Sequence, residues 1–197
     1  MTTTKVFDTT FISACLNEIQ SIDLFRRCLR IYKLSSSFEV VEELKKGFSK
    51  KVIGRLLEDI LIHNLTRNAE YCQLLTYMKR RYPYLHIGEI SSFLIAVIAY
   101  KIAGKEYYYI TDDGKMRKVI KRLSEDVLFS DLLKFPFENF NVTGTIGIIK
   151  KLYERGAISN SEIEKIIIDI KNSTFRIDEK LLDNLRKMMK NENGGKS

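Results

Sequence analysis

The sequence predicts an α/β sandwich in which helices pack on a small parallel sheet. Short strand-forming runs at 5–8 and 106–111 stand among much longer stretches whose apolar side chains recur at helical spacing. Strand alternating with helix is the pattern of parallel pairing, because parallel neighbours need a crossover and a helix supplies it. The remaining observation is size. At 197 residues with 45% hydrophobic side chains, the chain can bury one substantial core and is too short for two large domains.

The first strand, 5–8, ends at the paired Thr9 and Thr10. Ile12, Leu16, Ile19, Leu24, Cys28 and Ile31 then recur at helical intervals, predicting one helix or two short ones over about 12–31. A short extended piece follows at 32–35. The helix expected over 38–46 places Val40, Val41 and Leu44 on one face, with Ser36 or Ser37 as its cap and Gly47 as its stop. Two amphipathic patterns, 50–63 and 67–81, read as a helical hairpin closed by Pro83, which lacks the amide proton a helix requires. Gly88 starts a long apolar helix that runs to about Ala103 and stops at Gly104, and the 106–111 strand comes next. Asp113 caps a basic helix over 114–122. Beyond Pro136, Thr143-Gly-Thr-Ile-Gly introduces a helix to about Arg155, and helices over 160–171 and 178–190 complete the chain. The expected organisation is a domain over 1–140 with a helical insert at about 50–81, a helical extension over 141–190 packed on it, and a frayed tail at 191–197.

Several function classes are excluded early. The longest apolar run, 93–100, falls far short of the roughly 20 residues a helix needs to cross a bilayer. The first residues lack the charged start, apolar middle and small-residue cleavage site of a secretory signal, so the expected compartment is the cytoplasm, with no membrane partner. Cys15, Cys28 and Cys72 are odd in number and far apart, which suits buried thiols and neither a disulfide framework nor paired zinc ligands. His63 and His86 are isolated. Thirty-three Lys and Arg against 25 Asp and Glu leave a charge of +8, which permits a nucleic-acid partner without requiring one.

Four acids stand at element ends: Asp8, Glu43, Glu89 and Asp112. Asp8 and Asp112 each follow a strand-forming run, and the carboxyl edge of a parallel sheet is where ligands collect. Glu43 and Glu89 would reach the same edge from helices. Each acid taken alone is explained by a helix cap or a solvated surface. Four crowded together repel one another unless a hard cation neutralises them, which points to Mg²⁺ or Mn²⁺.

The residues around these acids resemble the PIN-domain family. The resemblance rests on Val6-Phe-Asp8-Thr9-Thr10-Phe-Ile12, Val40-Val-Glu-Glu43-Leu44, Gly88-Glu89 before Ser-Ser-Phe-Leu-Ile-Ala, and Ile110-Thr-Asp112-Asp113-Gly-Lys-Met-Arg117, in that order over about 5–120. Val142-Thr-Gly-Thr-Ile-Gly-Ile-Ile through Gly156-Ala-Ile158 is similar to the extension of a prokaryotic PIN subgroup described as nucleic-acid-binding. The resemblance implies a PIN-like α/β/α sandwich with extra C-terminal helices and a metal pocket lined by Asp8, Glu43, Glu89 and Asp112. By position it adds Thr10, whose hydroxyl would orient a carboxylate or a water, and Asp113 and Arg117 as supporting groups. Of the adjacent Glu42 and Glu43, the motif and the helical frame favour Glu43. Where the subgroup has a second Glu after Gly-Glu, this chain has Ser91, so the outer acidic set is reduced.

The activity implied is hydrolysis of RNA phosphodiester bonds. Asp8, Glu89 and Asp112 would hold one Mg²⁺ or Mn²⁺, Glu43 would hold a second ion or orient water, and Lys115, Arg117, Lys118 and Arg122 would bind the phosphates of single-stranded RNA. For the basic helix, a solvated face is the favoured reading over a phosphate-binding one. Ser91 and the insert at about 50–81 motivate a second reading, a PIN-fold nucleic-acid-binding or regulatory module with little or no cleavage, and the family implies a third, a toxin covered by a cognate antitoxin protein. Relatives often pair, so a homodimer is expected as well.

Overall fold

β1 (Thr4–Phe7) leads straight into α1 (Thr9–Ser13), because Asp8 between them adopts extended backbone and its carboxylate accepts the Thr10 amide as an N-cap. The structure, a computed structural model, describes residues 4–103, 108–138, 140–175 and 177–193. Where the spacing allowed one helix over 12–31, there are two. α1 runs on into a π-helical turn (Ala14–Glu18), Gln20 takes a left-handed φ of 51° that stops it, and α2 (Ile22–Ile31) restarts under the Ser21 cap.

β2 (Lys33–Ser37) extends the predicted piece by two residues, and Ser37 rather than Ser36 caps α3 (Phe38–Gly47). The predicted hairpin differs from what the chain adopts. Only α4 (Lys50–Leu57) is helical in its first half, and β3 (Leu61–His63) follows as an edge strand before α5 (Ala69–Arg81). Ile60 continues the helical spacing of Ile53 and Leu56, so a three-residue strand was masked by the periodicity in front of it. The region 50–81 is therefore part of the sheet architecture rather than a purely helical insert.

α6 (Ile87–Ala103) is apolar nearly all round, as suits a central helix packed on α3, α5, β1 and β2. β4 (Tyr108–Ile110) lies within the predicted strand, while Gly104, Glu106 and Tyr107 lie outside the described residues. α7 (Gly114–Leu123) starts at Asp113 as expected. Two elements escaped the sequence reading: α8 (Val127–Leu133), capped by Asp126, and β5 (Val142–Thr143). α9 (Thr145–Glu154), α10 (Asn160–Asn172) and α11 (Glu179–Asn193) form the extension. Residues 191–193, expected to fray, complete the last helix, and 194–197 lie outside the described residues.

All four strand pairings are parallel, in the order β3-β2-β1-β4-β5. The α/β class predicted by the sequence is the one adopted. Alternation along the strands divides the core between two faces. Phe7, Leu34 and Ile110 pack with α1 to α4 and with the extension, whereas Val6 and Tyr109 pack with α5 to α8. Isoleucines 163, 166, 167 and 170 bring α10 into the first of these clusters. The Arg27–Glu162 ion pair at 2.6 Å, with Arg27 also donating to the Ala157 carbonyl, ties α10 to α2. Among the described residues, no helix is long and apolar enough to cross a membrane.

The topology has one reversal. From β1 the chain moves outward through β2 to β3, then returns past β1 to β4 and β5. The crossovers on the two sides lie on opposite faces, so the loops after β1 and β4 diverge and leave a crevice between them. Asp8 follows β1, and Asp112 stands two residues past the end of β4.

Candidate functional site

Asp8 is fully buried beneath this crevice. One carboxylate oxygen accepts from the Thr10 amide (3.0 Å) and the Thr10 hydroxyl, and the other meets the Tyr109 hydroxyl at 3.4 Å. Burial pushes its pKa from 3.8 up to about 7, with the Asp112 charge adding to the rise while bonds from Thr10 and Thr111 oppose it. Thr10 does more than orient Asp8: its oxygen also accepts the Asp112 amide at 3.0 Å, so one hydroxyl joins the loops after β1 and β4. Thr10→Val, which keeps the shape and deletes the hydroxyl, is expected to cost about 1–3 kcal/mol in urea unfolding because it leaves the Asp112 amide without its acceptor.

Asp112 turns toward the extension. One of its oxygens accepts the Thr145 amide (3.0 Å) and the other the Thr145 hydroxyl, so it caps α9 from a different part of the chain. Gly144 cannot provide that cap itself. Its value is space: a Cβ there would stand 2.3 Å from Asp112 Oδ1 and 2.6 Å from Arg117 Nη2. Burial raises the Asp112 pKa; the Thr145 bonds and the Arg117 charge act against the rise.

Glu43 points into the crevice, accepting from the Thr9 hydroxyl, whereas Glu42 points out and pairs with Lys45 at 2.8 Å. Glu43 lies directly over Gly88, where a Cβ would fall 2.8 Å from its Oε2. Gly88→Ala should therefore swing Glu43 away while costing no more than about 1 kcal/mol, since the displaced atoms are the end of a flexible side chain. An unfolding midpoint close to the parent's, with the Thr9–Glu43 hydrogen bond lost in a crystal structure of the variant, would check this. Glu89, one residue on, closes a capping bond to the His86 amide at 3.1 Å. Burial raises its pKa, and the charges of Asp113 and Glu43 add to the rise.

The supporting residues divide. Asp113 is engaged as the cap of α7, accepting the Met116 amide at 2.6 Å. Arg117 donates through Nε and Nη2 to the Thr111 carbonyl, at 3.0 and 2.6 Å, and so braces the chain beyond β4 instead of pairing with Asp113. Lys115, Lys118 and Arg122 are exposed on α7, which starts immediately beyond Asp113. Ser91 is buried against Ser37 (2.7 Å) and the Gly88 carbonyl, away from solvent. Thr9, Tyr109, Gly144 and Thr145 belong to the site but were not assigned to it from the sequence. Their only local signals are the Thr9-Thr10 pair and the Thr-Gly-Thr run.

No protein-family model and no curated protein matches the chain.

The donors along this edge are all carboxylate and hydroxyl oxygens. Burial raises the pKa of Asp8, Glu89 and Asp112 together, and like charges raise two of them further, so ionising the set calls for a compensating positive charge. A hard divalent cation such as Mg²⁺ or Mn²⁺ fits such donors. Among the described residues no three Asp, Glu, His or Cys side chains form a ready-made cation cluster. Each carboxylate instead holds a protein donor: Asp8 with Thr10, Asp112 with Thr145, Glu89 with the His86 amide and Glu43 with Thr9.

Proposed function

We propose that the chain is a PIN-type ribonuclease that hydrolyses RNA with the help of Mg²⁺ or Mn²⁺. The observation that carries the proposal is the position of Asp8 and Asp112 beyond neighbouring parallel strands at the one reversal of the sheet, joined there by the Thr10 hydroxyl. Asp8, Asp112 and Glu89 would hold the ion. When bound, it would supply a water of lowered pKa and a counter-charge for the scissile phosphate. Thr10 and Tyr109 fix the orientation of Asp8, and Thr145 fixes that of Asp112. Glu43, at the mouth of the crevice, would take a proton from the attacking water or hold a second ion. Lys115, Lys118 and Arg122 offer exposed ammonium and guanidinium groups for the phosphates on either side. No covalent intermediate with the protein is required.

A labelled single-stranded RNA incubated with the protein and Mn²⁺ should be cut, and Asp8→Asn or Asp112→Asn should lower the rate on the order of 10²-fold or more. Cleavage at the parental rate by both variants would remove these residues from the reaction.

A second reading has its own support. Asp8 and Asp113 each cap the helix they introduce, Glu89 reaches back from the first turn of α6 to the His86 amide, Asp112 caps α9, and Ser91 is buried where an additional acid is expected. Such a set also suits a binding or regulatory module of the same fold. That protein would bind RNA with steep salt dependence and without a metal requirement, and the Mn²⁺ titration of cleavage separates the two.

A further inference from the structure

The end of the sheet opposite the carboxylates is positively charged. Lys5 belongs to β1, Arg26 and Arg30 to the latter part of α2, Lys33 to the start of β2, and Arg155 to the end of α9. Because α2 and α9 run back from the carboxyl edge, their ends arrive where the strands begin. A groove of about 690 Å³ opens here, lined by Arg26, Leu29, Arg30, Tyr32, Lys33 and Asp59.

We propose that this groove is a second site, one that binds a phosphate group. Its wall carries three cations against the single acid Asp59. Arg26 is engaged with Asp23 at 3.0 Å, while Arg30 and Lys33 are exposed and form no ion pair among the described residues. Two more charges stand behind the wall. Lys5 Nζ lies 4.7 Å and the Arg155 guanidinium 5.0 Å from the centre of the Tyr32 ring. An Arg held on an aromatic ring keeps its in-plane N–H donors available, which suits a tetrahedral oxyanion. Three cations lining the groove, with Lys5 and Arg155 behind it on the Tyr32 ring, favour a multiply charged phosphate over a singly charged carboxylate, because each adds to the same field. Tyr32 itself is buried, so it organises the cations and offers no open face for stacking a base. The volume admits a nucleotide as well as a bare ion.

This site goes beyond the nuclease reading and does not depend on it. Its test uses the full chain without divalent cation, titrated at low salt with inorganic phosphate, a nucleoside monophosphate and a ten-residue oligouridylate. Arg30→Gln/Lys33→Gln should weaken binding by about tenfold or more, whereas Lys79→Gln/Arg80→Gln, which removes the same charge from exposed positions at the end of α5, should weaken it by less than about twofold. Binding of the two small anions as well as the oligonucleotide marks a free phosphate or nucleotide site, and binding of the oligonucleotide alone marks an RNA-backbone site. Either result supports the proposal. If no probe binds the parent protein, or if both double variants lose affinity equally, there is no such site.

Discussion

Without divalent cation, Asp8→Asn should stabilise the protein at pH 8 by up to about 4 kcal/mol relative to the parent. The folded protein keeps a proton on Asp8 up to about pH 7, whereas the unfolded chain releases it near 3.8. Between those values the folded state binds the extra proton, so the stability it confers is complete below about 3.8 and is lost as pH rises through 7. Asparagine imitates the protonated acid. Its oxygen can keep the bonds from the Thr10 amide and hydroxyl, and its NH₂ can donate to the Tyr109 hydroxyl, yet it never ionises. The two proteins should therefore unfold alike at pH 4 and diverge steadily above it. Asp112 and Glu89, raised in the same direction by burial, leave a slope of the same sign in both proteins. Urea unfolding at pH 4, 6 and 8 with a chelator measures the difference; parallel curves at every pH would mean that Asp8 is ionised throughout. If the proposed cleavage is lost in the same variant, a gain in stability would separate removal of a charge that the reaction needs from simple damage to the fold.

Gly144→Ala should act in the opposite sense, costing about 2–3 kcal/mol and disturbing the site at once. The backbone there is extended, with φ −117° and ψ −176°, a conformation open to any residue, so the whole effect is steric. The methyl would stand 2.3 Å from an Asp112 oxygen that the Thr145 amide holds in place. Arg117 can withdraw, but Asp112 cannot move without releasing both Thr145 bonds and uncapping α9. Gly54→Ala provides the control. It lies within α4 with nothing within 4 Å of its added Cβ, and helix propensity there should yield about 0.5–1 kcal/mol of stabilisation. Equal midpoints for Gly144→Ala and the parent would show that the Asp112 side chain is not held as described.

What was legible in the sequence follows from how local each signal is. An acid directly after a strand-forming run, or at the head of a helical pattern, announces itself within a few residues, and Asp8, Asp112 and Asp113 were found in that way. The choice between Glu42 and Glu43 was also readable, because Val40, Val41 and Leu44 fix which side of α3 faces inward. β3 and β5 were missed for a physical reason: strands of three and two residues are too short to display alternation, and they exist because a neighbour supplies hydrogen bonds. Tyr109 and Thr145 were missed as parts of the site because their roles lie in partners 101 and 33 residues away. Their spacing in the chain contains no trace of those contacts.

The clasp between Asp112 and Thr145 also bears on biosynthesis. Residues from 8 to 145 converge on a single edge, so an emerging polypeptide can complete its first strands and helices while the crevice is still unfinished. Only after β5 and the head of α9 have left the ribosome can the last carboxylate be locked in position. Fragments ending before Thr145 would lack that lock, and any chemistry that depends on it would be delayed until translation had passed that point.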